Sequence, residues 1–198
     1  MRKGALIGWL TFLFGGIIAL FWYNEWAYAL PTPVPKNYKA VHPGEMINVS
    51  FGFIPKDDKP VFLHFFNPNC PCSKFNVPHF KSLVAKYGDE VNFAIVVMSK
   101  EKFAVKEIQE KFDVSVPVLF DTAIAISCGV YSTPQAVLMD ANHKLYYRGN
   151  YNRSRYCADP KSNYAQMAIE GLLHNNYNLN FDQPALQAYG CRLPNCTQ

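Results

Sequence analysis

Charge is scarce in this sequence: Asp, Glu, Lys and Arg make up 17% of 198 residues and leave a formal net charge of +4. Arg2 and Lys3 stand at the N-terminus, and the rest of the chain sets 17 basic residues against 15 acidic ones. Such a balance builds no surface that neutralises a run of phosphates, so nucleic acid is excluded as a partner. Walker loop, dinucleotide fingerprint, zinc-protease motif and nucleophile elbow are all missing, and no cofactor and no metal is expected. Internal repeats and low-complexity tracts are lacking as well. A hydrophobic content of 49% with 15% aromatics excludes wholesale disorder, and the length suits one core of ordinary size.

The apolar residues that are present are not spread evenly. Ala5 to Tyr23 carries no charge and is rich in Leu, Ile, Phe and Trp. At about 1.5 Å per residue a helix over this stretch covers about 28 Å, close to the hydrocarbon core of a bilayer. Trp9 near one end and Trp22, Tyr23, Trp26 and Tyr28 near the other suit an aromatic belt. A cleaved signal peptide is the alternative, with Ala27-Tyr28-Ala29 as a cleavage site, although the apolar run exceeds the usual length. Residues 1–29 are expected to form an N-terminal segment that anchors the chain through 5–23 in the inner membrane as a single pass. Arg2 and Lys3 then hold the N-terminus in the cytoplasm and the domain lies in the periplasm or its equivalent. Residues 30–44, with Pro31, Pro33 and Pro35, are expected to form a stiff stalk. A globular domain over 45–175 and a tail over 176–198 packed on it complete the expected organisation.

Pro60 to Phe66 is a nearly continuous apolar run, as a buried central strand requires. Apolar residues then recur at helical spacing from Cys72 to Tyr87, and Gly88-Asp89 ends that helix. Val91 to Met98 reads as a strand, Glu101 to Phe112 as an amphipathic helix and Val116 to Phe120 as a short strand, with Asp121 capping the next helix. Gln135–Met139 and Leu145–Tyr147 read as a hairpin, and a last helix runs from about Asn163 to His174. Met46 to Phe53 is an expected extra edge strand. The order predicts an α/β fold, a central mixed sheet with helices on both faces.

Six cysteines carry the chemistry. Cys70 stands where the buried strand meets the first helix of the domain. Unpaired backbone N–H groups and the helix dipole favour a thiolate there, and Pro71 suits the first helical turn. Metal binding or simple packing by Cys70 and Cys72 is the alternative. Cys157 precedes the last helix, while Cys191 and Cys196 lie in an aperiodic tail. A structural disulfide from Cys157 is expected, with Cys191 the favoured partner over Cys196; closing Cys157 to Cys191 would stabilise by roughly 3–4 kcal/mol on the chain-entropy estimate. A second redox pair exchanging with Cys70 is the other possibility. Asn48-Val49-Ser50, Asn152-Arg153-Ser154 and Asn195-Cys196-Thr197 match the glycosylation sequon, relevant only in a eukaryotic secretory route.

Three blocks in order resemble the thioredoxin-like superfamily: Val61 to Lys74 (VFLHFFNPNCPCSK), Val116 to Asp121 (VPVLFD) and Gly129 to Gln135 (GVYSTPQ). The resemblance spans roughly residues 45–175 and implies a thioredoxin-like fold and thiol–disulfide oxidoreductase activity on protein or small-molecule disulfides. It further implies that Pro134 is a cis-proline facing the cysteines and that Thr133 offers its backbone to a substrate's extended chain. Two positions depart from the pattern. Ser73 stands where the resolving cysteine of Cys-x-x-Cys belongs, leaving Cys70-Pro71-Cys72; either Cys72 resolves Cys70 locally or Cys128 does so from a distance. His64 stands where the superfamily places a buried acid, and an imidazole there would relay protons or, charged, stabilise a thiolate. His79, nine residues after Cys70, is expected to be structural. A peroxiredoxin-like thiol peroxidase and a Cu(I) carrier are the competing functions; Asn67, where peroxidases place a Thr, argues against the former.

Overall fold

The computed structural model describes residues 2–48 and 57–193. Helix α1 (Arg2–Ala29) is followed by β1 (Val61–Phe66), α2 (Pro71–Tyr87), β2 (Asn92–Val97), α3 (Val105–Phe112), β3 (Val118–Leu119) and α4 (Ala123–Ser127). Then come β4 (Ser132–Thr133), β5 (Gln135–Met139), β6 (Leu145–Gly149), α5 (Tyr164–Leu173), α6 (Gln183–Leu186) and β7 (Cys191–Arg192). Five strands form one sheet in the order β3-β2-β1-β5-β6, and β4 pairs with β7 in a separate two-stranded ribbon.

β1 lies at the centre, parallel to β2 and antiparallel to β5. All six of its residues are buried, which explains why its sequence shows no alternation: both faces are covered. Phe62, His64 and Phe66 face Phe80 and Leu83 of α2 and the apolar side of α5. Val61, Leu63 and Phe65 belong to a second apolar layer that includes Ile124 and Ala125 of α4 and Ile47. Each buried Phe or Leu contributes roughly 1.5–3 kcal/mol of transfer free energy, so both filled faces of β1 stabilise the sheet. This mixed sheet, flanked by helices and carrying a cysteine at the β1–α2 corner, is a thioredoxin-like α/β fold.

α2 begins at Pro71, whose missing N–H is not needed in a first turn, and stops at Gly88. Pro78 sits within it and leaves one backbone carbonyl of the preceding turn without its helical donor. The helix expected from Glu101 starts only at Val105; Ser99 caps the intervening bend by accepting from the Glu101 N–H. Of the edge strand expected over Met46 to Phe53, Met46 makes an isolated bridge to Lys144, and 49–56 lie outside the described residues.

The segment expected to stand off as a stalk lies along the domain instead. Pro31 bridges to Tyr189, the Thr32 N–H donates to Ala188 O, and Tyr38 Oη donates to Gly129 O. The carbonyl of Val41 accepts from Arg148, and the Gly44 N–H donates to Leu145 O. These hydrogen bonds satisfy backbone groups that a free polyproline segment would leave to water. Within α1, Lys3–Asn24 spans 22 residues and is long and apolar enough to cross a membrane; none of that window is buried against the rest of the protein.

Candidate active site

Cys70 occupies the N-cap of α2 with an extended backbone (φ −87°, ψ 122°), so it lies outside the helix while Cys72 lies in its first turn. The helical geometry that would splay residues two apart therefore does not apply to this pair. The corner is built by its neighbours: Asn67 O accepts from the Cys70 N–H, Asn67 Oδ1 accepts from the Asn69 N–H, and Ser73 Oγ accepts from the Asn67 N–H. Ser73, where the resemblance led to the expectation of a resolving cysteine, thus pins the corner. Asn76 Nδ2 donates to Cys72 O one turn on.

The bonding partner of Cys70 is Cys191, 121 residues away, with Cα atoms 6.9 Å apart. This corrects the expected Cys157–Cys191 bridge. Cys157 is unbonded and its thiol donates to Asn76 Oδ1 at 3.2 Å; the reason Cys191 bonds Cys70 instead is that β7 lies antiparallel to β4 and opposes Cys191 to Thr133. Burial pushes the Cys157 thiol up to about 12. The sulfurs of Cys70, Cys72 and Cys191 all lie within 4.8 Å of one another and form a small buried cluster of their own. Cys72 is unbonded; burial raises its pKa, opposed by the nearby Arg155 charge and a backbone hydrogen bond. Arg155 itself lies 4.7 Å from the Tyr156 ring centroid and 5.9 Å from that of Phe75 on α2, which holds the cation beside the helix.

Cys128, the alternative resolving thiol, belongs to the apolar layer with Leu63, Phe65 and Val137, away from the three-sulfur cluster. Burial lifts its pKa to about 12, and it packs as a small hydrophobe. His64 is buried on β1 with Nδ1 2.7 Å from Tyr151 Oη and its ring stacked on Phe80 at 4.7 Å. Burial drives its pKa from 6.5 down to about 3. The imidazole is therefore neutral at neutral pH, which removes the expected thiolate-stabilising charge. His79 is half-buried on α2 with its ring edge-on to Tyr151 at 5.8 Å.

Thr133–Pro134 is a cis peptide bond. Thr133 and Ser132 are buried and form β4, whose partner among the described residues is the chain's own β7, in the register Ser132↔Arg192 and Thr133↔Cys191. Sequence reasoning missed this ribbon because two-residue strands carry no period. The signal that was available is Gly190: at φ 122° a Cβ there would meet Thr133 O at 2.3 Å, so only glycine lets the tail approach β4. Cys196 and the sequons at Asn48 and Asn195 involve residues outside the described ones. A cleft of about 810 Å³ lined by His42, Tyr146, Tyr147, Phe181 and Leu186 lies elsewhere, and no cysteine lines it.

A family model described as Domain of unknown function (DUF6436) matches residues 45–195. The chain belongs to this family. No curated protein matches it. Among solved structures it is similar to an uncharacterized conserved protein from Geobacillus kaustophilus, 20% identical over 76% of this chain and 87% of that one, with a TM-score of 0.58. A hypothetical protein from Sinorhizobium meliloti is 17% identical over 70% of this chain and 81% of that one, with a TM-score of 0.56. The thioredoxin domain of a thiol-disulfide oxidoreductase from Bacteroides vulgatus is 14% identical over 59% of this chain and 94% of that one, with a TM-score of 0.48.

Proposed function

We propose that the protein is a thiol–disulfide oxidoreductase, anchored by α1 in the inner membrane with its domain on the extracytoplasmic side, and that Cys70 is its nucleophile. The observation that carries this reading is the buried cluster of three sulfurs at the N-cap of α2, set against the cis Thr133–Pro134 bond. A cysteine at a helix N-terminus is the place where a thiolate is stabilised, and a second thiol within reach lets the mixed disulfide resolve. The Cys70 thiolate attacks one sulfur of a substrate disulfide and expels the other as a thiolate. Cys72 then attacks Cys70 Sγ, so that the substrate leaves reduced and Cys70 and Cys72 end oxidised. The substrates are protein or small-molecule disulfides.

The test is turnover of a disulfide-bonded peptide with dithiothreitol as electron source. Wild type should accelerate peptide reduction, and Cys70→Ser should abolish the acceleration. Undiminished turnover by Cys70→Ser would remove Cys70 from the chemistry and sink the reading.

The same cluster favours a second reading, a Cu(I) carrier, because three thiolates suit a soft cation. The third ligand would be Cys191 rather than a histidine, since His64 spends its Nδ1 on Tyr151 and sits inside the β1–α2 interface. Reduced protein that withdraws one equivalent of Cu(I) from a chromophoric chelator, and fails to do so as Cys70→Ser, would put carriage ahead of exchange.

A further inference from the structure

The ribbon β4–β7 brings the protein's C-terminal strand onto the residues that flank the cis-proline. β7 pairs antiparallel with β4, Cys191 stands opposite Thr133, and the Leu193 N–H donates to Tyr131 O. The strand is latched from both sides. Ser132 Oγ donates to Cys191 O at 3.2 Å, and Thr32 Oγ1 donates to Gly190 O at 3.2 Å. With the tail seated, Cys70 and Cys72 are at most 1% exposed, and no external disulfide can approach Cys70. Removing β7 would uncover the edge of β4 beside the active sulfur, and an unpaired strand edge accepts another extended chain through main-chain hydrogen bonds.

We propose that Cys191 is a third redox cysteine, and that β7 is an internal substrate which occupies β4 until Cys72 exchanges it off Cys70. This rests on the reading of Cys70 as the nucleophile of thiol–disulfide exchange. The exchange is balanced within the chain. Cys72 gives up its proton, its sulfur attacks Cys70 Sγ, and the Cys70–Cys191 bond breaks as the Cys70–Cys72 bond forms. Cys191 leaves as a thiolate and takes up a proton, so one disulfide replaces another and no oxidant or reductant is consumed. The three sulfurs already lie within 4.8 Å of one another, and the extended backbone of Cys70 places it outside the helix that carries Cys72. Freed of its bond, the tail yields β4 to a cysteine-bearing polypeptide in extended form. The fit selects glycine before that cysteine, because a side chain at the place of Gly190 runs into Thr133 O.

The experiment uses the full chain in detergent and a synthetic hexapeptide with the sequence of residues 188–193, Ala-Tyr-Gly-Cys-Arg-Leu, as its symmetric disulfide. First, oxidised protein is incubated with iodoacetamide and its disulfides are mapped by mass spectrometry. Wild type should become alkylated at Cys191 while Cys70 and Cys72 join; Cys72→Ser should keep Cys191 bonded and protected. Gly190→Val, which dislodges the strand but keeps every thiol, should speed Cys191 alkylation by about tenfold or more. Second, reduced Cys72→Ser/Cys191→Ser protein is mixed with the hexapeptide disulfide. It should accumulate a mixed disulfide through Cys70 about tenfold faster than with a peptide carrying Val for Gly. Cys191 that stays bonded in wild type, or is alkylated equally in Cys72→Ser, overturns the exchange even if Cys70 still traps the peptide. Equal trapping of the Gly and Val peptides overturns the internal-substrate assignment. If Cys70 in the double variant traps neither peptide, the nucleophile reading fails and this proposal fails with it.

Discussion

Tyr151 Oη lies 2.7 Å from His64 Nδ1, and both side chains are buried between the central strand and the helices that cover it. Burial puts the folded-state pKa of His64 at about 3, against 6.5 for a free imidazole. Between those values the unfolded chain binds a proton that the folded chain does not, so stability falls as the pH drops from 6.5 towards 3. The expected slope from this one group is at most about 1.4 kcal/mol per pH unit. Urea unfolding at pH 7, 5.5 and 4 measures it. His64→Phe should flatten the acid limb while costing about 1–3 kcal/mol at pH 7, because the Tyr151 hydroxyl loses its partner. An unchanged acid limb in His64→Phe would show that other groups set it.

Asn76 ties two unbonded cysteines to one side chain, donating to Cys72 O and accepting from the Cys157 thiol. Asn76→Leu removes both side-chain hydrogen bonds and should lower unfolding free energy by about 1–3 kcal/mol. Cys157→Ala breaks no disulfide and should cost less than loss of a native bridge, which typically costs about 2–5 kcal/mol. Denaturant melts under non-reducing conditions separate the two.

Because burial raises the Cys72 thiol above its ordinary value of 9.0, that thiol is protonated at neutral pH. The rate of any step in which Cys72 attacks should climb with pH past 9 without reaching a plateau at 7. Arg155→Ala removes the charge that opposes this shift and should move the rate profile further to alkaline pH, read by stopped-flow with a disulfide peptide. A profile that stays in place would separate Arg155 from the thiol's titration.

Helix α1 divides two outcomes that composition alone leaves open. As an anchor, the full chain stays with membranes through an alkaline carbonate wash, and a chain starting at residue 30 is released. N-terminal sequencing that begins after Ala29 would instead identify a removed signal segment.

Strong hydrophobic pattern made most of the fold readable. The run at 61–66, the helical spacing from 72 to 87 and the hairpin around Asp140 each bury many apolar groups per residue, so local sequence and tertiary burial agree. The β1–α2 corner was readable for the same reason, since Cys-Pro after a buried strand constrains the backbone on its own. The tail was not. β4 and β7 are two residues each, α6 is four, and what holds them is the Cys70–Cys191 bond together with single hydrogen bonds to Thr32, Ser132 and Asn150. A partner for Cys70 that lies 121 residues away leaves no trace in local spacing. His64 shows a different limit: its position on β1 was legible, but its charge depends on how completely Phe80, Phe66 and Tyr151 enclose it.

Pro31 and Thr32, which close the strand carrying Cys191, follow directly on the helix that ends at Ala29. On the proposed anchoring of α1 in a bilayer, the three clustered sulfurs sit on a leash only a few residues long. Encounter then becomes a search across a surface rather than through a volume, and partners sharing that surface meet the site at a raised effective concentration.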